Sequence, residues 1–253
     1  MLAALPAQDY LGIDETGHKD RGQGMWTWCF RAIAFVVFGV LDSRATKVLQ
    51  ETLRKSYAGL IGGDYFSVSR KFLKESRCLM HFCHSHLIRD VKFLTTLPDK
   101  VTQRWGHKLL QAIKRLFHTI HRRTKMTAQN WGRALRRARD QILKIARRPP
   151  DRIETQTMAD RFRQHGREYF TFLEHAGVEP TNNRTEQTLR FVVQDRKATQ
   201  GTRGQRGQRW GERIWSVLAT CRLQSRSAFQ FLVQTLHHHF PRIPTPKLLP
   251  AGP

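Results

Sequence analysis

Acidic residues are scarce in this chain. Its 253 residues hold 20 Asp and Glu against 44 Lys and Arg, a formal net charge of +24. That excess is out of keeping with an enzyme of small metabolites and points to a polyanionic partner, of which nucleic acid is the commonest. Cysteine is scarce too. Four cysteines in 253 residues cannot form a disulfide scaffold, which fits a reducing cytoplasm. Long apolar runs are missing: the longest, Ala32 to Leu41, is about half of what a bilayer span needs. The opening MLAALPAQDY has no basic segment and is broken by Pro6, so it does not read as a secretory signal. No internal repeat, no long low-complexity tract and no long helix with a lipid-facing side stands out, which leaves no case for a membrane partner.

What is present is globular: 40% hydrophobic and 25% charged residues, enough chain for one large domain or two small ones. YLGIDET reads as a short strand ending in acid, followed by turn residues Asp20, Gly22 and Gly24. MWTWCFRAIAF and VVFGVLD are rich in β-branched and aromatic residues and complete a three-stranded antiparallel meander. SRATKVLQETLRKS is a helix with Ser43 as its cap. GLIGGDYF and RCLMHFC are the fourth and fifth strands, and HLIRDVKFLTTL is the next helix. The chain then turns helical and basic. Leu109, Leu110, Ile113, Leu116, Phe117 and Ile120 share one helix face, and Leu135, Ala138, Ile142 and Leu143 repeat the pattern. A further helix is expected to hold Met158, Phe162, Tyr169, Phe172 and Leu173. Another spans 182–198, and QGTRGQRGQRWG reads as a Gly- and Arg-rich loop. Two amphipathic helices follow, with Ile214, Trp215 and Leu218, then Phe229, Leu232 and Leu236. This order predicts an α/β protein with a mixed five-stranded sheet, flanking helices and a long all-helical insertion.

The few acids matter most where they gather. Asp14 lies near the end of the first strand and Asp64 at the end of the fourth, and in a mixed sheet of this order those strands can be neighbours. Glu186, in EPTNNRTEQTLR, has a simpler reading first. Thr181, Asn182 and Asn183 are all good N-caps, Asn183 and Glu186 have the spacing of a capping box, and Glu186 precedes Arg190 by four. It can instead complete a set of three carboxylates. Three like charges at close range repel, and two divalent cations, Mg²⁺ or Mn²⁺, would resolve that repulsion through hard oxygen ligands. Such a pair clamps the attacking and leaving oxygens of a phosphoryl transfer. Glu15, next to Asp14, alternates to the opposite strand face.

Five segments, in order, resemble the transposases of the insertion-sequence-66 family: IDETGHKDRGQGMWTWCF, GLIGGDYF, CHSHLIRD, EPTNNRTEQTLR and GERIWSVLATCRLQ. Together they reach from about residue 9 to 236. The resemblance implies a DDE triad on a ribonuclease H-like fold, with Asp14, Asp64 and Glu186 as catalytic residues and metal ligands, two Mg²⁺ or Mn²⁺ per active site, and DNA ends and target as partners. It implies no small-molecule substrate, and it implies a homo-oligomer acting in the bacterial cytoplasm. It divides the chain into a first part of the catalytic core at 9–98, a basic helical insertion at 99–178, and helices completing the core at 179–240. The Pro-rich tail, 241–253, reads as disordered. The pattern departs from the family where Tyr65-Phe66 replaces the usual Gly-Tyr and where Ser69 stands in place of a Tyr. The family's N-terminal helix-turn-helix region has no counterpart before Asp14, which reads as a truncated copy, a mis-started reading frame or one part of a split system. The rival readings are a non-catalytic nucleic-acid-binding remnant and a nuclease on the same fold.

Cys83 and His86 have the spacing of half a zinc site, but the other half is not evident. The family carries a Cys-x-x-His here, and a structural role is expected. Two basic surfaces suit a phosphate backbone. One is the helix face of Arg133, Arg136, Arg137 and Lys144. The other is Arg196, Lys197, Arg203, Arg206 and Arg209 among glycines that allow close backbone approach.

Overall fold

A computed structural model describes residues 1–249. The last four residues of the tail expected to be disordered lie outside the described residues. Strands β1 (Tyr10–Asp20), β2 (Gln23–Arg31) and β3 (Val36–Leu41) are followed by α1 (Thr46–Leu53), β4 (Leu60–Gly63), α2 (Ser67–Glu75) and β5 (Leu79–Phe82). Helices α3 (His84–Leu94), α4 (Lys100–His121), α5 (Ala128–Ala146) and α6 (Ile153–His165) come next, then α7 (Asn183–Thr199), α8 (Gln205–Leu223) and α9 (Ala228–His239). The sheet order is β3-β2-β1-β4-β5. Within it β1–β2 and β2–β3 are antiparallel and β1–β4 is parallel. This is the expected mixed five-stranded sheet with flanking helices, consistent with a ribonuclease H-like fold. The chain forms two compact units, residues 1–80 with 182–253, and residues 81–181, so the division falls inside β5.

In the first unit, β1 and β2 form a hairpin whose Asp20–Gln23 pair leaves only Arg21 and Gly22 in the turn. Both have positive φ, 50° and 81°, the turn whose twist matches that of the flanking strands. The edge strand β3 is protected by a helix. Backbone N–H groups of Val36, Phe38 and Val40 donate to Thr220 Oγ1, Ser216 Oγ and Glu212 Oε1 at 3.0, 2.9 and 2.7 Å. Two strand residues advance about 6.8 Å and four helix residues about 6.0 Å, so the spacings match. An edge that would otherwise invite another strand is thereby satisfied. Beneath it, Cys29, Val36, Phe38 and Val40 pack with Leu189, Val192, Trp215 and Ala219.

The second unit is helical. Leu109, Leu110, Ile113 and Leu116 of α4 and Leu135 and Ile142 of α5 are buried, the expected apolar faces. The indole N–H groups of Trp105 and Trp131 donate to the carbonyls of Ile145 and Thr119, at 3.2 and 2.9 Å, and tie the two helices together. Asp99 caps α4 by accepting from the Thr102 backbone N–H at 2.8 Å.

Three local expectations are corrected. Tyr169 and Phe172 do not continue α6, which ends at His165. Tyr169 instead packs its ring against Phe82, Phe162 and His84, so the aromatic spacing reflects a folded-back segment. QGTRGQRGQRWG is not one long loop, since α8 begins at Gln205: glycines that lower helix propensity are outweighed by the packing of α8 on β3. On α9, Phe229 and Leu236 are 76% and 58% exposed while Phe231 is buried. Residues 241–249 carry no helix or strand, and the Leu248 carbonyl accepts from Gln224 Nε2 at 2.8 Å.

Replacing Ser216 by Ala leaves the Phe38 N–H without its partner in a buried setting. Urea unfolding should register a loss of about 1–3 kcal/mol, and a variant as stable as the native chain would show that water substitutes freely at this edge.

Candidate active site

Strand β1 offers its even-numbered face to helices of its own unit. Gly12 comes first, and a Cβ there would stand 2.1 Å from Thr185 Oγ1 of α7. Only glycine permits that approach. Asn182, buried at the head of α7, donates from Nδ2 to the Ile13 carbonyl at 3.1 Å. Two residues along β1, Asp14 faces Glu186 closely enough to feel its charge. Next, Thr16 Oγ1 accepts from Arg196 Nη1 at 3.1 Å. His18 follows, with its ring edge-on to Trp215 at 6.0 Å. Helix and strand therefore run alongside each other for most of the length of β1.

Asp64 reaches the same place through the sheet. The parallel register pairs Tyr10 with Leu60 and Gly12 with Gly62, and Asp64 follows the end of β4, where its charge acts on Asp14. Asp14, Asp64 and Glu186 are all half-buried. The pKa of Asp14 is pushed up to about 7, first by burial, then by Glu15, with Glu186 and Asp64 adding to it and a 3.0 Å hydrogen bond from the Glu15 N–H opposing it. Asp14 is thus coupled electrostatically to each of the other two expected acids. Their oxygen donors suit a hard divalent cation, whose charge would favour the ionised form that burial now disfavours.

Glu15 is held elsewhere. Its carboxylate receives Arg44 Nε and Nη2 at 2.7 and 2.6 Å. The Arg44 guanidinium also lies 3.9 Å from the ring centroid of Phe66 and 4.7 Å from that of Trp26. Burial raises the pKa of Glu15 and Arg44 opposes the rise. Phe66, a departure from the family pattern, therefore has a partner of its own.

At Glu186 the capping-box reading is overturned. The helix starts at Asn183, its N-cap is Asn182, and no side chain makes a capping hydrogen bond. The Asn182 side chain is turned to β1 instead, and Glu186 falls one position beyond the box. The role of Asn182 in seating the helix was hidden because Asn before a helix reads as a cap.

The short link 200–204 is fixed to the hairpin tip. Thr202 pairs with Asp20 as an isolated parallel bridge, with Thr202 N–H donating to the Lys19 carbonyl and Arg21 N–H to the Thr202 carbonyl. Asp20 Oδ1 accepts from Thr202 Oγ1 at 2.7 Å and from the Gly204 N–H at 2.6 Å. The single hydroxyl proton of Thr202 is used on Asp20. The 3.1 Å contact between His18 Nε2 and Thr202 Oγ1 is therefore an imidazole N–H donating to the hydroxyl. Burial lowers the His18 pKa, aided by the Arg196 charge.

The expected basic residues divide between the units. Arg133, Arg136, Arg137 and Lys144 are exposed on α5 of the second. In the first, Arg196 is half-buried, Lys197 and Arg203 are exposed, and Arg206 and Arg209 are exposed on α8 rather than in a loop. Cys83 is buried immediately before α3, and His86 lies half-buried in its first turn, both in the second unit. All four cysteines are free and buried.

The mixed five-stranded sheet with flanking helices is consistent with a ribonuclease H-like fold, and Asp14 is coupled electrostatically to both Asp64 and Glu186. The chain belongs to the IS66 transposase family, whose model, described as Transposase IS66 family, matches residues 1–209. No curated protein and no solved structure matches it. Among the described residues no helix is long and apolar enough to cross a membrane.

The raised pKa of Asp14 has a definite sign in stability. Its folded value, about 7, exceeds the unstructured 3.8, so the folded state binds this proton more tightly. The contribution is fully present below about pH 4 and is lost as pH rises through about 7. With chelator present, Asp14→Asn should flatten the fall of Tm across that window and raise Tm above it. A variant whose Tm falls as the native one does would remove Asp14 as the source.

Proposed function

We propose that the first unit catalyses metal-dependent DNA strand cleavage and strand transfer, with Asp14, Asp64 and Glu186 as its acidic triad. The observation that carries this reading is the electrostatic coupling of a half-buried Asp14, its pKa raised to about 7, to both Glu186 and Asp64 in a chain of net charge +24. Nothing in a structural role calls for that arrangement, and membership of a transposase family supplies the substrate class. Asp14, Asp64 and Glu186 would hold Mg²⁺ or Mn²⁺, which supplies charge neutralisation at the phosphate and activation of water or a 3′-hydroxyl.

The rest of the work falls to the chain itself. Asn182 and the Gly12 contact set α7 so that Glu186 meets Asp14. Arg44 pairs with the Glu15 carboxylate and offsets part of the charge that Glu15 adds beside Asp14. Arg196, Lys197, Arg203, Arg206 and Arg209 would hold DNA through its backbone, without reading sequence. Arg133, Arg136, Arg137 and Lys144 offer a second such surface.

Nicking of supercoiled plasmid in Mn²⁺ tests the proposal. Asp64→Asn and Glu186→Gln should each lower nicking on the order of 10²-fold or more, the equivalent of several kcal/mol of lost transition-state stabilisation. Both should still bind DNA. A native chain that binds plasmid equally with and without chelator and cuts nothing would instead be a DNA-binding protein without catalysis.

A further inference from the structure

The first unit contains a cavity of about 810 Å³ at the far end of β1 from Asp14, between the hairpin tip and the end of α7. Five cations line it: Lys19 and Arg21 from the hairpin, Arg196 and Lys197 from α7, and Arg203 from the link to α8. No carboxylate is among its lining residues. Among the described residues none of the five forms a salt bridge. Elsewhere in the same chain Arg44, Lys47 and Lys71 do find acids, so the absence is local.

The walls are held in place. Arg196 is anchored on Thr16, and Thr202 is fixed by His18 and Asp20. Gly201 and Gly204 have φ of +97° and +109°. A Cβ at Gly201 would stand 2.1 Å from the Lys19 carbonyl, and one at Gly204 2.5 Å from the Arg21 guanidinium. The link thus lies flat on the hairpin, and the cations from three segments converge because the backbone is pinned. Five like charges brought together repel one another, and an anion placed among them reverses the sign of that energy.

We propose that this cavity is a phosphodiester-backbone site that grips DNA at a distance from the carboxylates, with Lys19 and Arg21 as binding residues alongside Arg196, Lys197 and Arg203. The hairpin cations are new to the interface. From Asp14 to Lys19 is five residues of strand, roughly 17 Å at 3.4 Å per residue. That corresponds to about five nucleotides of duplex axis. A strand held at the cavity would therefore be gripped several nucleotides from the acids. This inference rests on DNA being the substrate, but not on catalysis.

The test is fluorescence anisotropy of a short labelled duplex with chelator present, titrated with salt, so that failure of the metal site cannot affect it. The native chain is compared with Lys19→Gln/Arg21→Gln and with Lys55→Gln/Lys74→Gln, which removes the same charge from exposed positions of the same unit. The cavity variant should weaken binding and lower the slope of log K against log salt by about two, one for each lost phosphate contact. The control variant should shift the slope far less. Lys19→Arg/Arg21→Lys, which keeps both charges, should retain the native slope. Equal losses in the cavity and control variants would reduce the effect to net charge and overturn the proposal. So would a charge-preserving variant that binds as poorly as the neutral one.

Discussion

The close seating of α7 on β1 is the contact on which the site depends. It is made where the strand has no side chain, at Gly12, and is locked by one buried hydrogen bond from Asn182 to Ile13. A helix brought that near a strand cannot shift by a residue without a clash. Glu186, a single position past Thr185, is then committed to the neighbourhood of Asp14. The apolar side of the helix supplies the holding energy. Leu189 and Val192 are buried with Phe38, Val40 and Trp215, and each such side chain contributes about 1.5–3 kcal/mol. The acids oppose that packing, as the raised pKa of Asp14 records. The site is therefore built by packing against its own electrostatics, as expected where charge is arranged for a ligand rather than for stability.

Remote segments manage the other liabilities of the sheet. Arg44, stacked between Trp26 and Phe66, holds Glu15. Helix α8 covers the open edge of β3 with three side-chain acceptors at four-residue intervals. Asp20, which looked like a turn residue, binds the link before α8 through its carboxylate. That link in turn sets where α8 begins. Acids are few in this chain, and several of them hold backbone: Asp20, Asp99 and Glu212 all accept from main-chain N–H groups.

Much of this was legible in the residues. Alternation and β-branched content marked the meander, and apolar periodicity marked α4 and α5. The family resemblance singled out Asp14, Asp64 and Glu186, but Asp14 lies in the middle of β1, which runs on to Asp20, and not at the end of a short strand. The covered face of β1 was harder to read. Gly12, Asp14, Thr16, His18 and Asp20 alternate with Leu11, Ile13 and Glu15, and a strand face of small and polar residues reads as solvent-facing. It is instead covered by α7 and the link to α8. Asn182 does stand at the N-cap of α7, but its side chain donates to Ile13, a use that only the tertiary contact reveals. The Gly-Arg segment misled through composition. Glycines at 204, 207 and 211 suggested one long loop, yet only 200–204 is non-helical, because the Glu212, Ser216 and Thr220 ladder needs a continuous helix.

The distribution of charge along β1 gives the fold its direction. β1 carries Asp14 and Glu15 near its middle and Lys19 and Asp20 at its hairpin end, with Arg21 in the turn beyond, while α7 has Glu186 in its first turn and Arg196 and Lys197 in its last. The arrangement on α7 favours its helix dipole, which attracts acid at the start and base at the end. A polyanion lying along this pair meets attraction at one end and, without a cation among the acids, repulsion at the other. Divalent metal at the acids would turn that second interaction favourable, so occupancy of the acidic end and binding of the backbone should reinforce each other.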